Sequence, residues 1–283
     1  MPKVILSADS TCDLSEEWIE KYKVQIQPLH IILDGKDYRD SIDIKPDDIF
    51  HTYDKEGKLP QTAAPNIAEY MNHFKKWTDK GYEVIHISLG SSLSSAYQNS
   101  CLAAEELGHV YPIDSGNLST GMGLLVIEAG DRIGQGMEAK DVRDDIIALK
   151  EKVNTSFIID KLTYLHEGGR CTAIEAFSAN LLNIRPSIEV DNASGKMNVG
   201  KKYRGNTAKV LKRFGTDRLS KQKDTVINRI IITHSGTDPE NITLLKNVIE
   251  ETATCKEIHV MRAGCTISSH CGPNTLGLMY LSR

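Results

Sequence analysis

No stretch of this chain approaches the roughly 20 consecutive apolar residues of a membrane span, so no integral membrane segment is expected. The opening apolar run, Val4-Ile5-Leu6, is too short for a secretory signal. Charge of one sign is not in excess. A net charge of -4 gives no sign of a general nucleic-acid or membrane-surface binder. Paired cysteines are missing: Cys12, Cys101, Cys171, Cys255, Cys265 and Cys271 are scattered without a CxxC pair, which points to a reduced, cytoplasmic protein. Cys265 and Cys271 flank His270, but their spacing matches no standard zinc motif, and no metal is expected. A Walker A motif is absent, which argues against an ATPase. The dinucleotide fingerprint breaks off, because Gly121-x-Gly123 is followed by Val126 where a third glycine is needed. No GxSxG elbow marks a hydrolytic serine.

What remains is a chain of 283 residues, 40% apolar and 25% charged, long enough for one large domain or two ordinary ones. The first half alternates strand and helix signals. Val4 to Leu6 reads as a buried strand, and Ser15 before Glu16 and Glu17 starts a helix. Val24 to Leu33 is strand-like and turns at Asp34-Gly35 into a hairpin. Pro46 opens a helix, and Asn66 to Trp77 carries Ile67, Tyr70, Met71 and Phe74 at helical spacing. Strands over 83–89 and 110–113 alternate with helices over 94–107, 118–130 and 139–152. Such alternation predicts a mostly parallel sheet with helices on both faces. The second half mixes signals: a strand at 157–159, a helix over 173–182, and a hairpin around Asn192-Ala193-Ser194-Gly195. Helices follow at 206–214 and from Asp238-Pro239, with strands at 229–233 and 257–261. The expected fold is α/β in two domains, 1–155 with the mostly parallel sheet and 156–283 with a mixed sheet and helices. A ligand tunnel is expected between or beside them.

Five polar segments fall at the ends of these elements, where ligands bind in open α/β sheets. Asp9-Ser10-Thr11-Cys12-Asp13 is either a turn with a helix cap or part of a site. Gln61 to Asn66 precedes a helix that Asn66 could cap, which leaves the Thr62 hydroxyl unexplained. Gly90-Ser91-Ser92-Leu93-Ser94-Ser95-Ala96 sets hydroxyls and free N–H groups at a helix start, an arrangement suited to anions. In Asp114 to Gly123 the two glycines suit close helix packing or ligand approach. Gly168-Gly169-Arg170 puts a guanidinium after a flexible turn, able to reach a phosphate or a partner's carboxylates. A final stretch, Ser268 to Gly277, sets His270 beside a Gly-Pro turn and an apolar run.

Taken in order, these pieces resemble the DegV family of bacterial fatty-acid-binding proteins over essentially the whole chain. The matching segments are Asp9 to Leu14, Thr62 to Asn66, Gly90 to Tyr97, Asp114-Ser115 with Gly121 and Gly123, Tyr164 to Arg170, Leu181 to Pro186, and His270 to Pro273. The resemblance implies a carrier, not an enzyme and without a cofactor. Such a carrier holds one long-chain fatty acid with its tail buried and presents the carboxylate to a separate ATP-dependent kinase subunit, for phospholipid synthesis. Transient membrane contact is compatible with that role, and nucleic acid plays no part. It places the carboxylate-binding groups at Thr62, Ser91, Ser94 and His270, and kinase or phosphate contacts at Arg170 and Arg204. Three departures stand out: Ala63-Ala64 where a second hydroxyl is usual, Gly90 and Ala96 in the serine loop, and Asn274 after Gly272-Pro273.

Roughly 0.8 kcal/mol per buried CH₂ makes a chain of about 16 carbons worth on the order of 12 kcal/mol before the costs of association. The helices 66–77, 94–107 and 173–182 are the expected tunnel walls. Two other readings share the motifs: a Ser/His lipid hydrolase or acyltransferase using Ser91 or Ser94 with His270, and a binder of phosphorylated small molecules using the serine loop and Arg170.

Overall fold

The structure is a computed structural model that describes residues 3–171, 184–222 and 225–282. Strand β1 (Val4–Asp9) leads through a short 3₁₀ turn into helix α1 (Glu16–Tyr22), whose first turn holds Glu16 and Glu17. Next come β2 (Gln25–Gln27), β3 (His30–Leu33), β4 (Lys36–Arg39), α2 (Pro46–Glu56), β5 (Gln61–Ala63) and α3 (Ile67–Thr78). The half ends with β6 (Glu83–Ser88), α4 (Ala96–Leu107), β7 (Val110–Asp114), α5 (Ser119–Gly134) and α6 (Ala139–Leu149). Among the described residues β2, β1, β6 and β7 lie side by side in that order, every pair parallel, as the alternating pattern predicts.

Period-two alternation explains why helices cover both faces of this sheet. Leu6, Ala8, Ile85 and Ile87 face α5 and α6, in a core with Met122, Leu125 and Ile146. Val84 and the partly buried Ile5 face α3 and α4, against Tyr70, Phe74 and Ala103. Gly123 lets α5 seat closely on the turn after β1, since a Cβ there would stand 2.6 Å from the Cys12 carbonyl oxygen. Helix packing is thus the role of that glycine.

The run from Val24 to Leu33, expected as one strand, is two. Pro28 has no N–H for a ladder, so pairing stops and the chain changes sheets. β2 stays in the parallel sheet, while β3 sits between β4 and β5 in a small antiparallel sheet. The segment before α3 therefore contributes a strand, with Thr62 opposite Ile31 of β3.

The second half follows as β8 (Val153–Ile158), α7 (Leu162–Gly168), β9 (Ile184–Val190), β10 (Met197–Arg204), α8 (Thr207–Leu219) and β11 (Val226–His234). It closes with α9 (Pro239–Thr252), β12 (Thr254–Arg262), α10 (Cys265–Cys271) and β13 (Leu276–Leu281). Its strands run β10-β9-β8-β13-β11-β12, with only β11 and β12 parallel, so this sheet is mixed as expected. The Asn192 to Gly195 hairpin is present, braced by Ser194 on Asp191. The helix expected over 173–182 lies outside the described residues. One core joins the two large sheets, because Val153, Ile231, Met261 and Met279 pack in the same cluster as Leu6 and Ile85.

Helix α10 has no counterpart in the sequence reading. Its sequence, Cys-Thr-Ile-Ser-Ser-His-Cys, is poor in helix formers. The donors at its start are satisfied by carboxylates far away in the chain: Gly264 N–H donates to Asp13 (2.9 Å) and Cys265 N–H to Asp40 (2.8 Å).

Candidate functional site

A cavity of about 400 Å³ lies where β5, the loop after β6, α7, α10 and the β8–β13 part of the mixed sheet converge. Leu29, Leu89, Leu93, Leu118, Phe157 and Met197 form its apolar wall, continuous with a buried cluster that includes Leu165 and Ile188. Its polar lining includes Thr62, Ser94, Ser95, Arg170 and His270. The expected walls differ. Tyr70 and Phe74 of α3 and Ala96 and Ala103 of α4 pack against the parallel sheet instead, and strand ends, loops and the short helices α7 and α10 line the cavity.

His270 ends α10, and its Nε2 lies 2.8 Å from Thr62 Oγ1. Nδ1 is buried without a hydrogen-bond partner. It rests on Gly168, where an added Cβ would fall 2.2 Å from that nitrogen. A proton on Nδ1 would be a buried donor with nothing to accept it, the costlier kind of orphan. The hydrogen-bond geometry therefore assigns the proton to Nε2, which donates to Thr62 Oγ1. The Thr62 hydroxyl keeps its own hydrogen free to donate to a third atom. Burial, and then the nearby Arg170 guanidinium, push His270 down to about 4, so the imidazole is neutral at physiological pH.

Ser94 lines the cavity, and its Oγ accepts from Ala96 N–H (3.2 Å) at the start of α4. Ser95 joins it, a residue sequence reasoning passed over although it belongs to the same serine-rich loop. Ser91 does not join them. Its hydroxyl donates to Asp114 (2.6 Å), as does its N–H (3.0 Å), and it is exposed away from the cavity. Asp114 ends β7, beside β6, and so captures the first serine of the loop. Ser91 thus braces the loop, and the structure does not bring it to the cavity with Thr62, Ser94 and His270. Ser92 is likewise a brace, donating to Gly195 O across the gap to the β9–β10 hairpin (2.5 Å).

Arg170 is exposed at the cavity rim, where its Nη1 donates to Gly168 O (2.8 Å). Arg204 is exposed at the end of β10 and does not line the cavity, so the structure does not group it with the others.

Ser7, His86 and Asp9 have the connectivity of a hydrolytic triad. Ser7 Oγ lies 2.9 Å from His86 Nδ1, and His86 Nε2 lies 3.2 Å from Asp9. All three are fully buried beneath α3, with Tyr70 and His73 bonded to the same network, so no substrate reaches them. At the cavity, no carboxylate among the described residues meets His270 Nδ1 to orient it as a base. No group of three or more His, Cys, Asp or Glu side chains placed to hold a metal occurs among the described residues. No helix among them is long and apolar enough to cross a membrane.

The family model described as "uncharacterised protein, DegV family" matches residues 3–283. A DegV domain-containing protein of Clostridium perfringens is 31% identical over 288 residues, covering all of both chains. A DegV family protein from Thermus thermophilus, described by its fatty acid binding, superposes with a TM-score of 0.88 at 26% identity, over 99% of this chain and 100% of that one. A DegV lipid-binding protein of Thermotoga maritima gives 0.85 at 25% identity, over 99% and 98%.

Proposed function

This chain belongs to the DegV family, and from that premise we propose that it carries one long-chain fatty acid, tail in the apolar cavity and carboxylate at Thr62 and His270. The observation that carries the reading is the Thr62–His270 pair at the edge of an apolar cavity. His270 spends its proton on Thr62, so Thr62 is left as a hydroxyl donor toward a carboxylate, with Ser94 and Ser95 nearby. A carboxylate buried without partners would be very costly. Here neutral donors offset that cost and no fixed cation is buried with it. The head group is thereby held yet remains able to change charge and leave.

The finer part of the proposal is delivery. A separate ATP-dependent kinase subunit transfers the γ-phosphoryl group of ATP to a carboxylate oxygen of the presented acid, giving an acyl phosphate and ADP. Arg170, exposed at the rim, is placed to meet phosphate charge or that partner, with Arg204 as a more distant contact. The protein itself acts as a cytoplasmic carrier and has no catalytic residue or cofactor of its own. The expected division at 155/156 falls within β8 (Val153–Ile158), all of which pairs with β13 in the mixed sheet.

Purification from cells, denaturing extraction and mass spectrometry test the carrier reading. A stoichiometric fatty acid is expected. Protein that is empty and also fails to take up added hexadecanoic acid defeats it.

A further inference from the structure

The polar segment after β1 lines none of the cavity, yet it governs the parts that do. Asp40 is 1% exposed and accepts four hydrogen bonds. Two come from α10: Cys265 N–H to Oδ1 (2.8 Å) and Thr266 Oγ1 to Oδ2 (2.8 Å). The other two fix Asp40 itself: Ser10 Oγ to Oδ2 (2.8 Å) and Ser41 Oγ to Oδ1 (2.9 Å). Ser10 is held in turn, its Oγ accepting from Leu29 N–H (3.1 Å), and Leu29 lines the cavity. Asp13 accepts from Gly264 N–H (2.9 Å) and from Ser119 Oγ (2.5 Å).

These bonds matter to the proposed head-group site because, among the described residues, His270 has a hydrogen-bond partner on Nε2 alone. An imidazole is normally fixed by a partner on its second nitrogen, and Nδ1 here has none. Its direction comes from where α10 sits and from packing on Gly168. Thr266 and His270 are four residues apart, hence on one face of α10, and both line the cavity. Thr62, the imidazole's one bonded partner, belongs to a different sheet. A small rotation or slide of α10 would break the 2.8 Å contact between them. A buried carboxylate is also a poor choice for stability alone, since a well-packed apolar group is often as good.

We propose that Asp40, with Ser10 and Asp13 behind it, is a positioning residue for the head-group site: it sets α10 so that His270 orients the Thr62 hydroxyl toward a fatty-acid carboxylate. The inference rests on the fatty-acid reading above and adds to it the function of the Asp9–Asp13 segment.

The test compares hexadecanoic acid with 1-hexadecanol, which share a tail and differ in the head. Dissociation constants for both are measured on the full chain and on Asp40→Asn, in which the amide nitrogen can no longer accept from Thr266 or Ser10. The preference for acid over alcohol is expected to fall about tenfold, the scale of one charge-assisted hydrogen bond, while alcohol binding stays within about twofold. The imidazole nitrogen resonances of ligand-free His270 are expected to move. Equal losses for acid and alcohol, or an unchanged preference, overturn the proposal. If Asp40→Asn fails to fold, Ser10→Ala carries the same comparison, with a smaller loss in the same direction expected and an unchanged preference overturning it. A wild-type protein that binds neither ligand, or does not prefer the acid, overturns the fatty-acid reading itself and this inference with it.

Discussion

At the scale of single residues, the proposed head-group site depends on keeping one imidazole uncharged. Folded His270 titrates near 4, whereas the exposed group titrates near 6.5. Between those values the unfolded chain takes up a proton that the folded chain refuses, so His270 makes the fold less stable as pH falls from about 6.5 toward 4. His73, pushed down to about 3 by burial and by His86, acts in the same sense. Asp13, which burial pushes up to about 8, acts in the opposite sense and favours the folded chain at low pH. The difference between wild type and His270→Gln isolates the one group. Denaturant titrations should show wild type losing up to about 3 kcal/mol relative to the variant from pH 6.5 to 4, and nothing further above pH 7. A pH-independent difference contradicts the assignment. Thr62, Ser94 and His270, three of the four residues expected at a head group, line the cavity, and their place there was legible because each sits in a short polar segment ending an element. Ser91 was not, because its fate depends on Asp114, which the sequence places 23 residues away and the parallel sheet places next door.

At the scale of elements, the contact between α7 and α10 carries the site. Gly168 is the last residue of α7, and its missing side chain is the space His270 occupies. Gly168→Ala should push the imidazole off Thr62 and weaken retention of hexadecanoic acid by at least about tenfold. The melting temperature should shift only slightly, since alanine suits a helix better than glycine. Isothermal titration alongside thermal melting checks this, and unaltered affinity would show that the imidazole has room to move. The long amphipathic helices and the parallel strands could be read from periodicity and capping. Asn66, for example, caps α3 in a full capping box with Glu69, as its position suggested. Of the elements that escaped, two show the physical reason plainly. β5 is three residues long and exists only because β3 offers it an edge. α10 has its caps 225 and 251 residues upstream, so no local window contains the cause of its folding.

At the scale of the whole molecule, two sheets share one core, and polar groups reinforce the seam. Arg229 of β11 binds Glu128 (3.1 Å) and Asp131 (3.0 Å) of α5 and Glu257 (3.3 Å) of β12. Met279 and Ile231 of the mixed sheet pack with Leu6 and Ile85 of the parallel one. With one core shared by both sheets, we expect a single unfolding transition by calorimetry, with calorimetric and van't Hoff enthalpies equal. Two resolved peaks would contradict the shared core. The strand order was only partly legible, because sheet membership at Pro28 and the return of β13 between β8 and β11 are long-range choices. The cavity lies where these parts meet, so an occupant that binds only the folded chain stabilises all of it. Proteases would then meet the consequence far from the cavity: cleavage that requires global opening slows along the entire backbone when the cavity is filled.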